Sequence, residues 1–194
     1  MLLYLLPLGA YLVGSISSAI VVSRLLGLQD PRQVGSGNPG ATNILRYGGK
    51  QAALATLLGD ILKGVIPVLV ARALTDDAST LALVMFFAFL GHLYPVFHGL
   101  KGGKGVATAF GVLTAIQPWM GVALVSTWLV VAVVFRYSSL AAIAAALLTP
   151  FYVWWLVPGA PFLYAALVMT ALLLWRHRSN VEKLIAGKEG KIKI

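Results

Sequence analysis

The 194-residue chain is 59% apolar and only 11% charged, with a mean hydropathy of +0.88 and a net charge of +9. Soluble domains carry roughly 45–50% apolar and about 25% charged residues, so the polar material here cannot cover a water-exposed fold of this size. A soluble enzyme, a nucleic-acid module and a disordered tail are excluded, which leaves an integral membrane protein.

In chain order, the first apolar run covers residues 2–26. It lacks a basic n-region, so it is expected to persist as a membrane helix and not to be removed as a leader. Ser15, Ser17 and Ser18 within it are expected to pack against other helices. A polar stretch follows at 27–51. The run 52–74 is long enough to span, since about 20 apolar residues are needed. It carries Asp60 and Lys63, and charges at that depth cost at least ~2.5–3.5 kcal/mol each on insertion scales. They are expected to pair at i, i+3, either as a structural pair or as a pair lining a cavity. The run 80–97 leads to the loop 98–104. The run 105–117 is only about 20 Å long as a helix, too short to cross a ~30 Å core upright. Gln117-Pro118-Trp119 reads as a turn before 119–135. Runs 139–156 and 161–175 and a basic tail complete the chain. The tryptophans, including Trp154 and Trp155, fit an interfacial belt.

This reading gives an all-α polytopic membrane protein with seven transmembrane or partly spanning helices, forming one domain over 1–194. With the N-terminus outside and the C-terminus cytoplasmic, 13 of the 15 Lys and Arg residues fall on the inner side, as the positive-inside rule asks. The cytoplasmic side then holds the loops 27–51, 98–104 and 136–138 and the tail 176–194, and function is expected there. The absence of cysteine excludes disulfides, thiolate catalysis and Cys-type zinc sites.

The first polar loop contains Gly35-Ser36-Gly37-Asn38-Pro39-Gly40-Ala41-Thr42-Asn43. Its G-x-G-x-x-G pattern follows an apolar helix and not a strand, so a dinucleotide fold is rejected. The glycines can still turn successive N–H groups into one anion-binding concavity. Ser36, Asn38, Thr42 and Asn43 add donors, and Arg46 adds a fixed positive fork. The second loop, from Gly91 to Gly105, resembles a phosphate-binding P-loop. It departs from that pattern at His98, where glycine is required, and at Gly105, where a Ser or Thr should bind magnesium. Lys101, Gly102, Gly103 and Lys104 nevertheless open a helix, and a helix N-terminus beside a lysine suits phosphate. The third cluster is Arg176-His177-Arg178-Ser179-Asn180. Its simpler reading is a set of stop-transfer charges, although His177 and Asn180 would share a face if the helix continued. Ser139 reads equally as a helix cap or as a site donor. These loops against an apolar surface suit a ligand with a phosphate at one end and an acyl chain at the other.

The stretches GSGNPGATN (35–43), GHLYPVFHGLKGGKGVAT (91–108) and RHRSN (176–180) resemble the three motifs of the PlsY family of bacterial membrane acyltransferases. GSIS at 14–17 and DILKG at 60–64 are similar too, and the order matches. The resemblance implies transfer of an acyl group from acyl phosphate to glycerol 3-phosphate at the bacterial inner membrane. The products would be lysophosphatidic acid and inorganic phosphate, the first step of phospholipid synthesis. It also implies a functional link to an enzyme that forms the acyl phosphate. Neither cofactor nor metal is expected, and the partners are the two substrates and membrane lipids, with no nucleic acid.

On that basis the 35–43 loop would cradle one phosphate. Arg46, Lys104 and the Gly102 and Gly103 N–H groups would bind phosphate and offset developing charge, with Lys101 and Gly105 beside them. Asn180 and Ser139 would orient the glycerol or polarise the carbonyl. Acyltransferases that use acyl-CoA carry H-x-x-x-x-D, which this chain lacks: the fifth residue after His92, His98 and His177 is Phe97, Gly103 and Glu182. The base is therefore His177 or a substrate phosphate, with the substrate favoured. The competing readings are an organic-phosphate transporter and a non-catalytic lipid-binding protein.

Overall fold

The structure, a computed structural model, describes residues 2–192. Lys193, one of the basic tail residues counted above, lies outside them. The described residues form ten α-helices: α1 Leu2–Gly14, α2 Ser18–Leu25, α3 Ala41–Tyr47, α4 Gly49–Leu74, α5 Ala78–Leu93, α6 Val106–Ile116, α7 Pro118–Phe135, α8 Ser138–Leu156, α9 Ala160–Arg176 and α10 Arg178–Ile185.

Four stretches are long and apolar enough to cross a membrane: α4, α5 with the 3₁₀ turn Val96–His98 after it, α7 and α8. The bent pairs α1/α2 and α9/α10 raise the number to six. α6, with 11 residues, falls below the length of a span.

The sequence reading is corrected at two places. The first run does not form one helix: it breaks at Ser15–Ser17 with a bend of 43°. Serine hydroxyls stabilise the break by taking over backbone donors. Ser17 Oγ accepts from the Ile20 N–H at 3.5 Å and caps α2, while Ser15 Oγ accepts from the Val96 N–H at 3.4 Å. Ser18 packs as expected, against Gly59, and the buried Ser15 lies against Gly91 of α5. The polar loop 27–51 is not irregular throughout, because it contains α3 and the start of α4. The last run ends as expected near residue 175, and α10 in the tail turns away from α9 by 54° at His177.

α5 is the centre of the bundle and packs against α1, α4, α6 and α9. Its span is 61% buried, against 22% for α7. Glycines set the closest crossings. A Cβ on Gly14 would lie 2.1 Å from the Ala88 carbonyl oxygen, and one on Gly91 would lie 2.3 Å from that of Tyr11, so α1 and α5 touch backbone to backbone. Outward-facing Val130, Val133, Val134, Trp154 and Trp155 are exposed, as the hydrocarbon of a bilayer allows. At one end of the bundle Arg72 donates to the Ala115 and Ile116 carbonyls at 2.6 and 3.2 Å, closing the C-terminus of α6. The loop 94–105, the turn 136–137 and the tail 177–192 meet at the other end.

Candidate active site

The loop after α5 doubles back on its own helix. The Gly102 N–H donates to the Leu93 carbonyl and the Gly103 N–H to the His92 carbonyl, both at 3.2 Å. These carbonyls end α5, where no intrahelical donor remains. The expectation that these two N–H groups face a phosphate is therefore corrected: they are spent inward. Their carbonyls are held from the other side by Arg176, whose Nη2 donates to Gly102 at 2.6 Å and whose Nε donates to Gly103 at 3.1 Å. The same guanidinium lies 5.9 Å from the centre of the Tyr94 ring. The turn is thus fastened on both faces, immediately before Lys104. Gly105, with φ of +88°, then starts α6 in a conformation that favours glycine.

Lys104 is half-buried and donates to Asn180 Oδ1. An ammonium only donates, so the Asn180 oxygen faces Lys104 and its amide nitrogen points away. That nitrogen donates to Glu189 Oε1 at 2.7 Å, and the Ser139 hydroxyl donates to the same oxygen at 2.6 Å. Ser139 does not cap α8, for Tyr137 holds the cap position, and the Ser139 hydroxyl is engaged by Glu189 instead. Glu189 is delivered by the tail, which is tied down where the Ile192 N–H donates to the Arg136 carbonyl at 2.7 Å. Arg46 on α3 reaches the same segment, 3.8 Å from where a Gly190 Cβ would sit.

Burial is the main force on the Lys104 ammonium and pushes its pKa down to about 8. Glu189 opposes the shift, while Lys183, Arg46 and Arg176 add to it. His177 is buried, and its Nδ1 lies 2.8 Å from the Leu173 carbonyl. A carbonyl only accepts, so Nδ1 carries the proton. Burial brings the His177 pKa down to about 4, against the Leu173 hydrogen bond, so the ring is neutral near pH 7.

In the first polar loop Asn43 is corrected from ligand to organiser. It is 2% exposed, its amide nitrogen donates to the Pro31 and Val34 carbonyls at 2.9 and 3.0 Å, and its oxygen accepts from the Ser36 N–H at 2.8 Å. Gly35, Ser36, Gly37 and Thr42 are exposed around it, with Asn38 and Gly40 half-buried. The Pro39 carbonyl lies beside Gly103, 3.2 Å from where a Cβ would sit, which brings the first loop against the second. Lys101 is exposed and outside the Lys104 cluster. Asp60 and Lys63 do pair, at 2.9 Å and buried.

Two residues that organise this cluster are not readable as such in the sequence. Arg176 reads as a topology charge but binds the glycine turn. Glu189 went unread, although a lone acid between Lys188 and Lys191, flanked by Gly187 and Gly190, is the available signal. Among the described residues, no three His, Cys, Asp or Glu side chains converge as metal ligands.

The fold and the cluster define an all-helical integral membrane protein with a hydrogen-bonded cluster of Lys104, Asn180, Ser139 and Glu189 at one end of the bundle. The profile of the family described as Glycerol-3-phosphate acyltransferase matches residues 4–187. A glycerol-3-phosphate acyltransferase of Thioalkalivibrio sulfidiphilus (strain HL-EbGR7) is 57% identical over 187 residues, covering 96% of this chain and 92% of its own. One of Methylococcus capsulatus is 54% identical over 183 residues, covering 94% and 92%. A solved structure of PlsY, an integral membrane glycerol 3-phosphate acyltransferase in its glycerol 3-phosphate form, superposes with a TM-score of 0.93 at 40% identity, covering 98% of this chain and 96% of its own. A second PlsY structure, in its lysophosphatidic acid form, gives 0.92 at 38% identity, covering 98% and 95%. This chain belongs to the PlsY family of glycerol-3-phosphate acyltransferases and is a membrane acyltransferase.

Proposed function

We propose that the enzyme takes its acyl group from acyl phosphate and delivers it to glycerol 3-phosphate, yielding lysophosphatidic acid and inorganic phosphate. The reaction would take place at the cytoplasmic face of a bacterial inner membrane, as the first step of phospholipid synthesis, fed by an enzyme that makes the acyl phosphate. The observation that carries this reading is the chain of polar groups around one carboxylate: Asn180 and Ser139 both donate to Glu189, Lys104 donates to Asn180, and Arg46 lies beside the neighbouring Gly190. Donors that gather a carboxylate suit a phosphate of similar charge.

The glycerol hydroxyl attacks the acyl carbonyl carbon. A new C–O ester bond forms, the C–O bond to phosphate breaks, and inorganic phosphate leaves. An acyl phosphate is a mixed anhydride with a good leaving group, so the enzyme's main task is to hold two phosphorylated substrates with their reacting atoms adjacent. Lys104 offsets the charge that grows on the carbonyl and phosphate oxygens. Ser36, Asn38 and Thr42, with Gly35, Gly37 and Gly40, cradle one phosphate, while Asn180 and Ser139 orient the acceptor. The hydroxyl proton goes to a substrate phosphate, whose second pKa near 6 suits acceptance at neutral pH. The low pKa of His177 supports this choice over the imidazole.

The test is an assay of detergent-purified protein with labelled glycerol 3-phosphate and either palmitoyl phosphate or palmitoyl-CoA. Labelled lysophosphatidic acid and free phosphate are expected from palmitoyl phosphate alone. Product only from palmitoyl-CoA would overturn the donor assignment.

A further inference from the structure

A buried polar group lies behind the glycine turn and takes no part in the chemistry above. Lys63 on α4 is 6% exposed. Besides its pairing with Asp60, its ammonium donates to the Ile16 carbonyl at 2.8 Å. Ile16 lies in the break between α1 and α2, where the helical hydrogen-bond ladder is interrupted. His92 on α5 is also 6% exposed. The single hydroxyl proton of Thr108 goes to the Asp60 carbonyl at 2.9 Å, so this oxygen accepts from His92 Nδ1–H at 3.2 Å. The Nδ1 proton then faces Asp60 Oδ1 at 3.6 Å. The Nε2 lone pair lies against Gly103, where a Cβ would sit 2.2 Å from it.

The break is tied to the same loop by two further bonds. The Tyr11 hydroxyl donates to the Tyr94 carbonyl at 2.8 Å, and the Val96 N–H reaches Ser15 Oγ. Ser15, Ser17, Pro39, Lys63, His92 and Gly103 line one narrow crevice between the broken helix and the turn. A buried ion pair is weak evidence for stability, since apolar replacements of both partners are often neutral. What an apolar pair cannot supply is the bond to the Ile16 carbonyl.

We infer that Lys63 is a positioning residue for acyl transfer: with Asp60 as counter-ion, it fastens the break of the first helix against the rear of the glycine turn and so fixes where Lys104 stands. The inference rests on the reading of that turn as part of the phosphate-binding centre.

The experiment measures the thermal midpoint, kcat and KM for glycerol 3-phosphate on the full-length protein in detergent. Asp60→Asn keeps the Lys63 donor but leaves its charge uncompensated. It is expected to lower the midpoint while KM stays within about twofold of wild type. The double variant D60N/K63M carries no unpaired charge and no donor to Ile16. Its midpoint is expected to recover above that of D60N while KM rises about tenfold, with a smaller change in kcat. Stability and KM then move in opposite senses, which a merely structural pair would not produce. A double variant with wild-type KM, or a KM that tracks the midpoint across the set, overturns the inference. Should the double variant fail to fold, Lys63→Arg keeps the charge on a different stem. A raised KM there supports the inference and a wild-type KM overturns it. The kinetics use whichever acyl donor the wild type accepts, so a wrong donor assignment is seen separately. An unchanged KM in Lys104→Ala overturns the phosphate-site reading and this inference with it.

Discussion

Lys104 has a pKa near 8, which places its charge within reach of ordinary assay pH. An ammonium held by burial below its usual pKa is charged below that value and neutral above it. The kcat/KM for glycerol 3-phosphate should therefore fall as pH rises through about 8 in the free enzyme. Glu189 is the largest influence raising this pKa, so Glu189→Gln should move the falling limb to lower pH. A Lys104→Arg variant, weaker but permanently charged, should lose the limb altogether. A limb left in place by Lys104→Arg assigns it to another group. His177 is expected to contribute no inflection near pH 6.5, because its ring stays neutral down to about 4. His177→Gln should then retain measurable turnover, and a loss as complete as that in Lys104→Ala would make His177 the base.

At the scale of elements, the site is a set of loops whose backbones are satisfied before any ligand arrives. Arg176 holds the two carbonyls of the glycine turn, and Arg176→Met leaves both without a partner. Each orphaned group costs about 1–3 kcal/mol, so the turn should shift and KM for glycerol 3-phosphate should rise at least tenfold, with helix content by circular dichroism unchanged. The composition of the loops marks them as candidate anion sites. The direction of their N–H groups was not readable, because it depends on which buried acceptors lie nearby. At Gly102 and Gly103 these are the terminal carbonyls of α5, brought into reach only by the reversal at Gly99 and Leu100, where φ is positive at both residues. Asn43 was misread for a related reason: an irregular loop has no ladder of its own, and a side-chain amide supplied the missing partners. The break at Ser15–Ser17 escapes any hydropathy reading, since three residues do not lower the average of a 25-residue apolar run. The pairing of Asp60 with Lys63, by contrast, followed from helical spacing and the cost of buried charge alone.

At the scale of the whole molecule, the apolar segments and the all-helical class followed from composition, while the seven-segment arrangement stays a proposal to be tested by labelling. The native chain has no cysteine, so single-cysteine variants give an unambiguous map. Lys188→Cys and Lys50→Cys should react with a membrane-impermeant maleimide only in inside-out vesicles, and Asp76→Cys only in right-side-out cells or spheroplasts. Labelling of Lys188→Cys from the outside would reverse the proposed orientation.

The short α6 has a consequence for where the chemistry happens. It shares its far end with α7 through Gln117 and packs along it, yet has 11 residues to the other's 18. At 1.5 Å per residue the shorter helix stops about 10 Å before the longer one. Lys104 and its glycine turn, which lead into α6, are therefore expected to stand deeper than the α7–α8 turn at Arg136. In the proposed reaction, a lipid-borne donor would keep its tail among its neighbours while its head tips sideways to that depth. The water-soluble acceptor would then be the partner that makes the descent.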